Sequence, residues 1–369
     1  MRFLCAPTKL KAVEPLVDRY LAGLGIPKSL LVKRLNVEKG SLVYTLATDP
    51  SDTNTLTLSK RPEMDIRDEA LRLPMANGKT RKVVTVSKKE IALALMQHGR
   101  TTEFAGEACD AEAFIDHIGV RQNTVAWAEK LQWEWPDGTS ATWNEKYWAR
   151  GTPKAGYPLH EAMSDAFIDD KKYSIGCYTA TKIVIVQGVL DYYHRVKKDA
   201  ARTRLVSEHL LRDGEPLVYV EPGIMWNFEK DFEASEAARA GKLLKIYHKV
   251  PSNNFVPGDW SYFLNTDPVT YEKTGYEGSN AIYLGRNKYD DYYNDNDHAY
   301  TFEQKIDEVY QWRNEVFSRS RDAAKIRPLT PEHAQALTRT PAEGGLLNDM
   351  RAVPYAFGFE PLPFVPASQ

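Results

Sequence analysis

The chain has three cysteines, Cys5, Cys109 and Cys177, and the surroundings of Cys177 suggest covalent chemistry. Cys177 lies in the run Tyr173-Ser174-Ile175-Gly176-Cys177-Tyr178-Thr179-Ala180-Thr181-Lys182-Ile183-Val184-Ile185-Val186. Small and polar residues surround the thiol, and a long apolar segment begins behind it. That pattern places a sulfur at the N-terminal end of a buried helix. There the helix dipole and unpaired backbone N–H groups favour the thiolate, which is the form that attacks carbonyl carbon. An unassisted thiol, with its usual pKa of about 8.5, is only a few per cent thiolate at neutral pH. A nucleophilic cysteine therefore needs such a helix end, a base, or both. The competing reading of any free cysteine is a small buried hydrophobe. Cys109 also precedes a predicted helix start, but no long apolar helix follows it.

Candidate bases are few. His298 adjoins the polar run Asp290-Asp291-Tyr292-Tyr293-Asn294-Asp295-Asn296-Asp297, whose carboxylates would orient an imidazole. The alternative is a solvated loop histidine. The same run lacks the glycine and terminal glutamate of a twelve-residue calcium loop. His248 ends a predicted strand and is a second candidate. Asp259, in Pro257-Gly258-Asp259, is expected to brace its turn through a side-chain to backbone bond, with a role in orienting the site as the alternative. No CxxC pair, HExxH motif, phosphate-binding glycine loop or Gly-x-Ser-x-Gly elbow is present. Metal, nucleotide and serine-hydrolase chemistry are disfavoured, and neither a cofactor nor a metal is implied.

Composition narrows the class further. Of 369 residues, 43% are hydrophobic, enough for a substantial core, and a formal net charge of -2 disfavours a general nucleic-acid binder. No apolar run is long enough to span a bilayer, and the short apolar start before Thr8-Lys9 is too brief for a secretory signal. The expected location is cytoplasmic, or export by another route.

The elements that must position the thiol follow from pattern. Residues 1–110 read as an accessory α/β region, with a strand at Gly40–Leu46 and a hairpin about Asn77-Gly78. Ser87 and Glu90 have capping-box spacing and open a helix to about Gln97. From Asp110 two short helices are expected, separated at Gly119. Five of the eight tryptophans fall between Trp127 and Trp148, as core or as an aromatic wall. After the cysteine helix, strands are predicted at 216–220, 243–247, 260–263 and 280–284 and from Lys288 onward. Thr301 and Gln304 cap a last helix reaching about Ala323. One thiol helix followed by sequential strands is an α+β layout with an antiparallel sheet. The core is expected over 111–326, and the tail, 327–369, holds seven of the 21 prolines and is expected to wrap the surface or be partly disordered.

Several pieces, in order, resemble the bacterial spore-coat protein-glutamine gamma-glutamyltransferases, papain-like thiol enzymes related to NlpC-type cell-wall peptidases. Lys146-Tyr147-Trp148 with Gly151 resembles the family's entry segment, and Tyr173–Tyr193 its cysteine helix. Gly258-Asp259-x-x-Tyr262-Phe263-x-Asn265, then Gly278-x-Asn280 and Leu284-Gly285, are similar to its later elements. The likeness covers about residues 143–320. It implies a papain-like fold with Cys177 as nucleophile. It further implies that glutamine side chains of proteins or peptides are the acyl donors and amines the acceptors. Where the family carries glutamates, this chain has Gly176 and Ser279, and Glu277 is the nearest carboxylate to the second position. Ser279, Glu277, His298, His248 and Asp259 are the partners to be placed. Trp148, Tyr147, Trp260 and Tyr276 are the expected groove residues. Two alternatives stay open: an amidase or peptidase that passes the acyl group to water, such as an effector acting on cell-wall peptide, and an inactive binding module of the same fold.

Overall fold

The computed structural model describes residues 1–136, 141–149, 151–211, 244–274, 276, 278–294, 299–316 and 323–354. The chain is a mixed α+β protein. Its first part holds β1 (Arg2–Leu4), α1 (Pro7–Gly23), β2 (Leu31–Asn36), β3 (Ser41–Leu46), β4 (Glu69–Pro74), β5 (Thr80–Thr85), α2 (Lys88–Met96) and β6 (Glu103–Ala105). Four of these strands form a sheet in the order β2-β3-β1-β6. The β4–β5 pair is the hairpin expected about Asn77-Gly78, and Ser87 caps α2 by accepting from the Glu90 N–H.

The middle of the chain is helical. It contains α3 (Ala111–Lys130), the two-residue strands β7 (Trp148–Ala149) and β8 (Thr152–Pro153), α4 (Leu159–Ile168), α5 (Cys177–Asp191), a π-helical turn (Tyr192–Lys197) and α6 (Ala200–Leu211). The expected break at Gly119 does not occur, and α3 runs unbroken for 20 residues. Gly119 is a packing residue: a methyl group there would overlap the ring of Tyr192, and one at Gly188 would overlap Thr124. Two glycines facing inward thus let α3 and α5 approach closely. The helical reading of the β-branched run Ile183–Val186 holds. Apart from Lys182, every residue from Tyr178 to Asp191 is buried, so α5 is a core helix covered all round. Complete burial of each large apolar side chain there contributes about 1.5–3 kcal/mol, which outweighs the weak helix propensity of valine and isoleucine.

The last part supplies β9 (Leu244–Tyr247), β10 (Trp260–Leu264), α7 (Pro268–Thr274), β11 (Gly278–Gly285), β12 (Lys288–Asp290), β13 (Ala299–Tyr300), α8 (Phe302–Arg313), α9 (Pro331–Leu337) and β14 (Arg351–Pro354). Six strands form one sheet in the order β13-β12-β11-β10-β14-β9, with every neighbouring pair antiparallel. The strand expected at 216–220 lies outside the described residues. Thr301 and Gln304 close a reciprocal capping box on α8, which stops at Arg313, short of the expected end. Residues 351–354 do not wrap the surface. They enter the interior of the sheet between β10 and β9, and all four are buried.

The sheet separates two apolar layers. Trp260, Ile282 and Leu284 pack into the larger core with α5, whereas Phe263, Ala281 and Tyr283 pack against Phe302, Ile306 and Val309 from the α8 side. The larger core continues without interruption across position 110, from Phe3 and Leu42 through Phe114 to Ile183.

A disulfide joins Cys5, just after β1, to Cys109, just before α3, with Cα atoms 5.6 Å apart and a sequence separation of 104. Cys109 is therefore not a nucleophile, and Cys177 is the cysteine outside the disulfide. Closing so long a loop restricts the unfolded chain, and about 2–4 kcal/mol is the usual range for such a bridge. The double variant Cys5→Ser with Cys109→Ser should unfold in urea with its free energy reduced by about that amount. An unchanged midpoint would show that the bridge is not formed in solution.

Candidate active site

Cys177 is the first residue of α5, and its N-cap is Gly176, which has no side chain to close the helix end. The peptide before it is tied down from two sides. Thr142 and Ser174 exchange backbone hydrogen bonds at 2.8 and 3.1 Å, and the Tyr293 hydroxyl donates to the Ile175 carbonyl at 2.9 Å. Behind the thiol, Thr181 Oγ1 donates to the Cys177 carbonyl at 2.8 Å. With that proton committed, the Tyr292 hydroxyl, 2.9 Å away, donates to Thr181. Cys177 is half-buried, and the backbone that carries it is held at both ends.

Asn280, the third residue of β11, reaches the sulfur from the sheet. Its Nδ2 donates to Cys177 Sγ at 3.6 Å, and its Oδ1 accepts from Trp260 Nε1 at 2.9 Å. Trp260 in turn meets the ring of Tyr178 edge to face, with centroids 5.1 Å apart, and Lys182 Nζ lies 4.2 Å from the centre of that same ring. Register explains the arrangement. Tyr262 pairs with Asn280 and Trp260 with Ile282, so Trp260, Tyr262 and Asn280 share the α5 face. Ser279 pairs with Phe263 on the opposite face, toward α8. The position expected to face the sulfur is thus one residue early, and Asn280 occupies that place.

Charged groups gather around the same end of α5. Lys305 on α8 is buried and bonds Glu308 Oε2 at 2.6 Å. Burial opposes its charge, but Glu308, Asp291 and Cys177 outweigh that and hold the ammonium above its ordinary value. Tyr276, expected in the groove, stacks on Trp312 with centroids 4.3 Å apart, and Asn265 Nδ2 donates to its carbonyl at 2.9 Å. Burial pushes its phenol well above the ordinary value, and negative charge on Glu308 and Cys177 adds to this, so it stays a neutral donor. Tyr292 is raised in the same way by burial and Asp290, with Cys177 contributing.

The other expected partners fall elsewhere. Asp259 is fully buried and engaged: Oδ1 accepts from Arg121 and Oδ2 from Arg100, both at 2.8 Å, and Oδ2 also accepts from the Val256 N–H. It braces its turn as expected, and its remaining capacity goes to two arginines. His248 is exposed and follows β9 at the edge of the sheet, with β14 and β10 between that strand and β11, so it does not face the thiol. Trp148 is a core ring packed on Trp143, centroids 4.9 Å apart, and is too deeply buried to line a groove. Tyr147 is half-buried against Tyr157. Glu277 and His298 lie outside the described residues. Among the described residues no cluster of three or more acidic, histidine or cysteine side chains suits a metal ion, and no helix is long and apolar enough to cross a membrane.

Sequence reasoning missed Asn280 as a site residue, together with Thr181, Tyr292, Lys305 and Glu308. Asn280 lay within a recognised motif, and alternation along β11 was the signal available for it. No local signal marks Lys305 or Glu308, because strands and a helix far apart in sequence bring them to the thiol.

The site so described is a thiol at an open helix end, faced by an amide donor on an antiparallel sheet. The chain belongs to the protein-glutamine gamma-glutamyltransferase family, whose model matches residues 74–323. The general activity of that family is acyl transfer from glutamine. Among solved structures, a transglutaminase from Geobacillus stearothermophilus (without its C-terminal extension) is similar, at 18% identity and a TM-score of 0.41, over 67% of this chain and 95% of that one. No curated protein sequence matches the chain.

Proposed function

We propose that this protein is a cysteine-dependent transglutaminase that forms a thioester on Cys177. The observation that carries the reading is the placement of Cys177: first residue of a buried helix, half-buried, with an amide N–H from β11 directed at its sulfur. Both the helix end and that donor favour negative charge on sulfur. The thiolate attacks the γ-carbonyl carbon of a glutamine side chain on a protein or peptide, forming the C–S bond and moving the C=O π pair onto oxygen. Collapse of this adduct breaks the C–N bond, and the proton that left the thiol departs with nitrogen as ammonia. A primary amine then attacks the thioester, the C–S bond breaks, and the amine's surplus proton returns to sulfur. No cofactor enters these steps. The layout of α5 against the β10–β11 pair also supports a papain-like core.

The test is incubation with a glutamine-rich protein and a fluorescent primary amine. Covalent label together with stoichiometric ammonia supports transfer. Ammonia without label assigns the protein to hydrolysis instead, and neither product sinks the reading.

A further inference from the structure

The family's carboxylate positions hold Gly176 and Ser279 here, yet a different side chain reaches the sulfur. We propose that Asn280 is a catalytic residue, its Nδ2 stabilising negative charge first on Cys177 Sγ and then on the oxygen of the tetrahedral adduct, with Trp260 positioning it. This rests on the acyl-transfer reading and assigns that site a charge-stabilising group.

The orientation of the amide follows from chemistry. An indole N–H only donates, so the Asn280 atom 2.9 Å from Trp260 Nε1 must be the oxygen. The nitrogen therefore faces the sulfur at 3.6 Å. Other buried asparagines of the fold satisfy their N–H groups on oxygen, Asn123 on the Gly188 carbonyl and Asp191 Oδ2, and Asn254 on the carbonyls of Thr53 and His98. Asn280 is only 2% exposed, and its amide is aimed at the sulfur of Cys177.

A thiol is a weak acceptor and a thiolate a strong one, so the same hydrogen bond gains strength as the proton leaves. When the C–S bond forms, charge moves to an oxygen bonded to the attacked carbon, beside the sulfur and within reach of the same donor. A donor aimed at developing charge in a dry site is worth about 10²–10³ in rate, as the loss of one oxyanion donor elsewhere shows. Trp260 acts through Asn280. It is held by its β10 register opposite Ile282 and by the Tyr178 ring next to the nucleophile.

Asn280→Ala and Trp260→Phe test this with two readouts, steady-state amine incorporation and the pH profile of Cys177 alkylation by iodoacetamide. In Asn280→Ala the turnover should fall by about 10²-fold with KM for the glutamine substrate within about threefold of the parent. The alkylation midpoint should rise by about one pH unit. Trp260→Phe keeps a ring but removes the indole N–H. It should move both readouts in the same direction by about tenfold and about half a pH unit, which a packing defect would not do. Turnover within threefold of the parent, or an unmoved alkylation midpoint in both variants, overturns the proposal. If the parent protein makes neither labelled product nor ammonia, the acyl-transfer reading fails separately, and the alkylation midpoints alone decide whether Asn280 supports the thiolate. Should Asn280→Ala fail to fold, Trp260→Phe decides by the same criteria.

Discussion

Cys177→Ser should lower amine incorporation by about 10³-fold or more while leaving the urea midpoint nearly unchanged. The two side chains differ by one atom, and the helix-end geometry does not depend on sulfur. Thr181 bonds the backbone carbonyl of this residue rather than its side chain. What changes is acidity. A thiol at a helix end ionises near neutral pH, whereas a serine hydroxyl there does not, and no imidazole among the described residues faces it to take its proton. Trapping with a glutamine peptide should also yield a covalent adduct in the parent, visible by intact mass and absent from the variant. A serine variant retaining more than about a tenth of the activity would show that the nucleophile is another residue.

Asp259→Asn should cost about 3–5 kcal/mol of folding free energy, measured by urea unfolding, because it leaves two buried guanidinium groups without a counter-ion. Arg100 and Arg121 both reach the carboxylate at 2.8 Å, with side chains only 4% and 1% exposed. Arg121 Nε donates to His117 Nε2 at 2.8 Å, and burial together with Arg121 keeps that imidazole neutral, so it brings no compensating charge. Burial alone would raise the Asp259 pKa, but the two arginines outweigh it and hold the carboxyl below its ordinary value. A lowered carboxylate stabilises the fold fully above its unfolded pKa and loses that contribution as pH falls through its folded pKa. The gap between parent and variant should therefore be level from neutral pH down to about pH 4 and close only below that. A difference under about 1 kcal/mol at pH 7 would mean that the ion cluster is not buried in solution.

The features that local patterns revealed are those whose causes are local. The capping spacings at Ser87 and Thr301 and the turn at Asn77-Gly78 depend on a few neighbouring residues, and each starts or joins the element expected. The thiol helix was legible because thirteen buried residues follow Cys177 with only Lys182 reaching out. Gly119 misled because a glycine that permits close helix packing looks in sequence like one that ends a helix, and Tyr192 lies 73 residues away. The choice between Ser279 and Asn280 needed the register of β10 on β11. One step of register exchanges the two faces of a strand, so motif likeness alone could not settle which side chain meets the sulfur. Asp259 was read as a turn residue, and its two arginines, over 130 residues upstream, left no trace near it.

The order in which the six-stranded sheet is wound governs when its thiol face can exist. Strand β14 lies inside the sheet and joins β9 to β10, yet its partners precede it by about 90 to 110 residues. During synthesis β10 and β11 emerge first and must wait for the segment that covers one side of them. Chain termination anywhere before Arg351 leaves an open strand edge beside Trp260, the residue that steadies the amide at the sulfur. A nascent or prematurely ended polypeptide therefore carries the cysteine without a braced platform opposite it. The sheet face opposite the sulfur would then be completed only once residues 351–354 have been made.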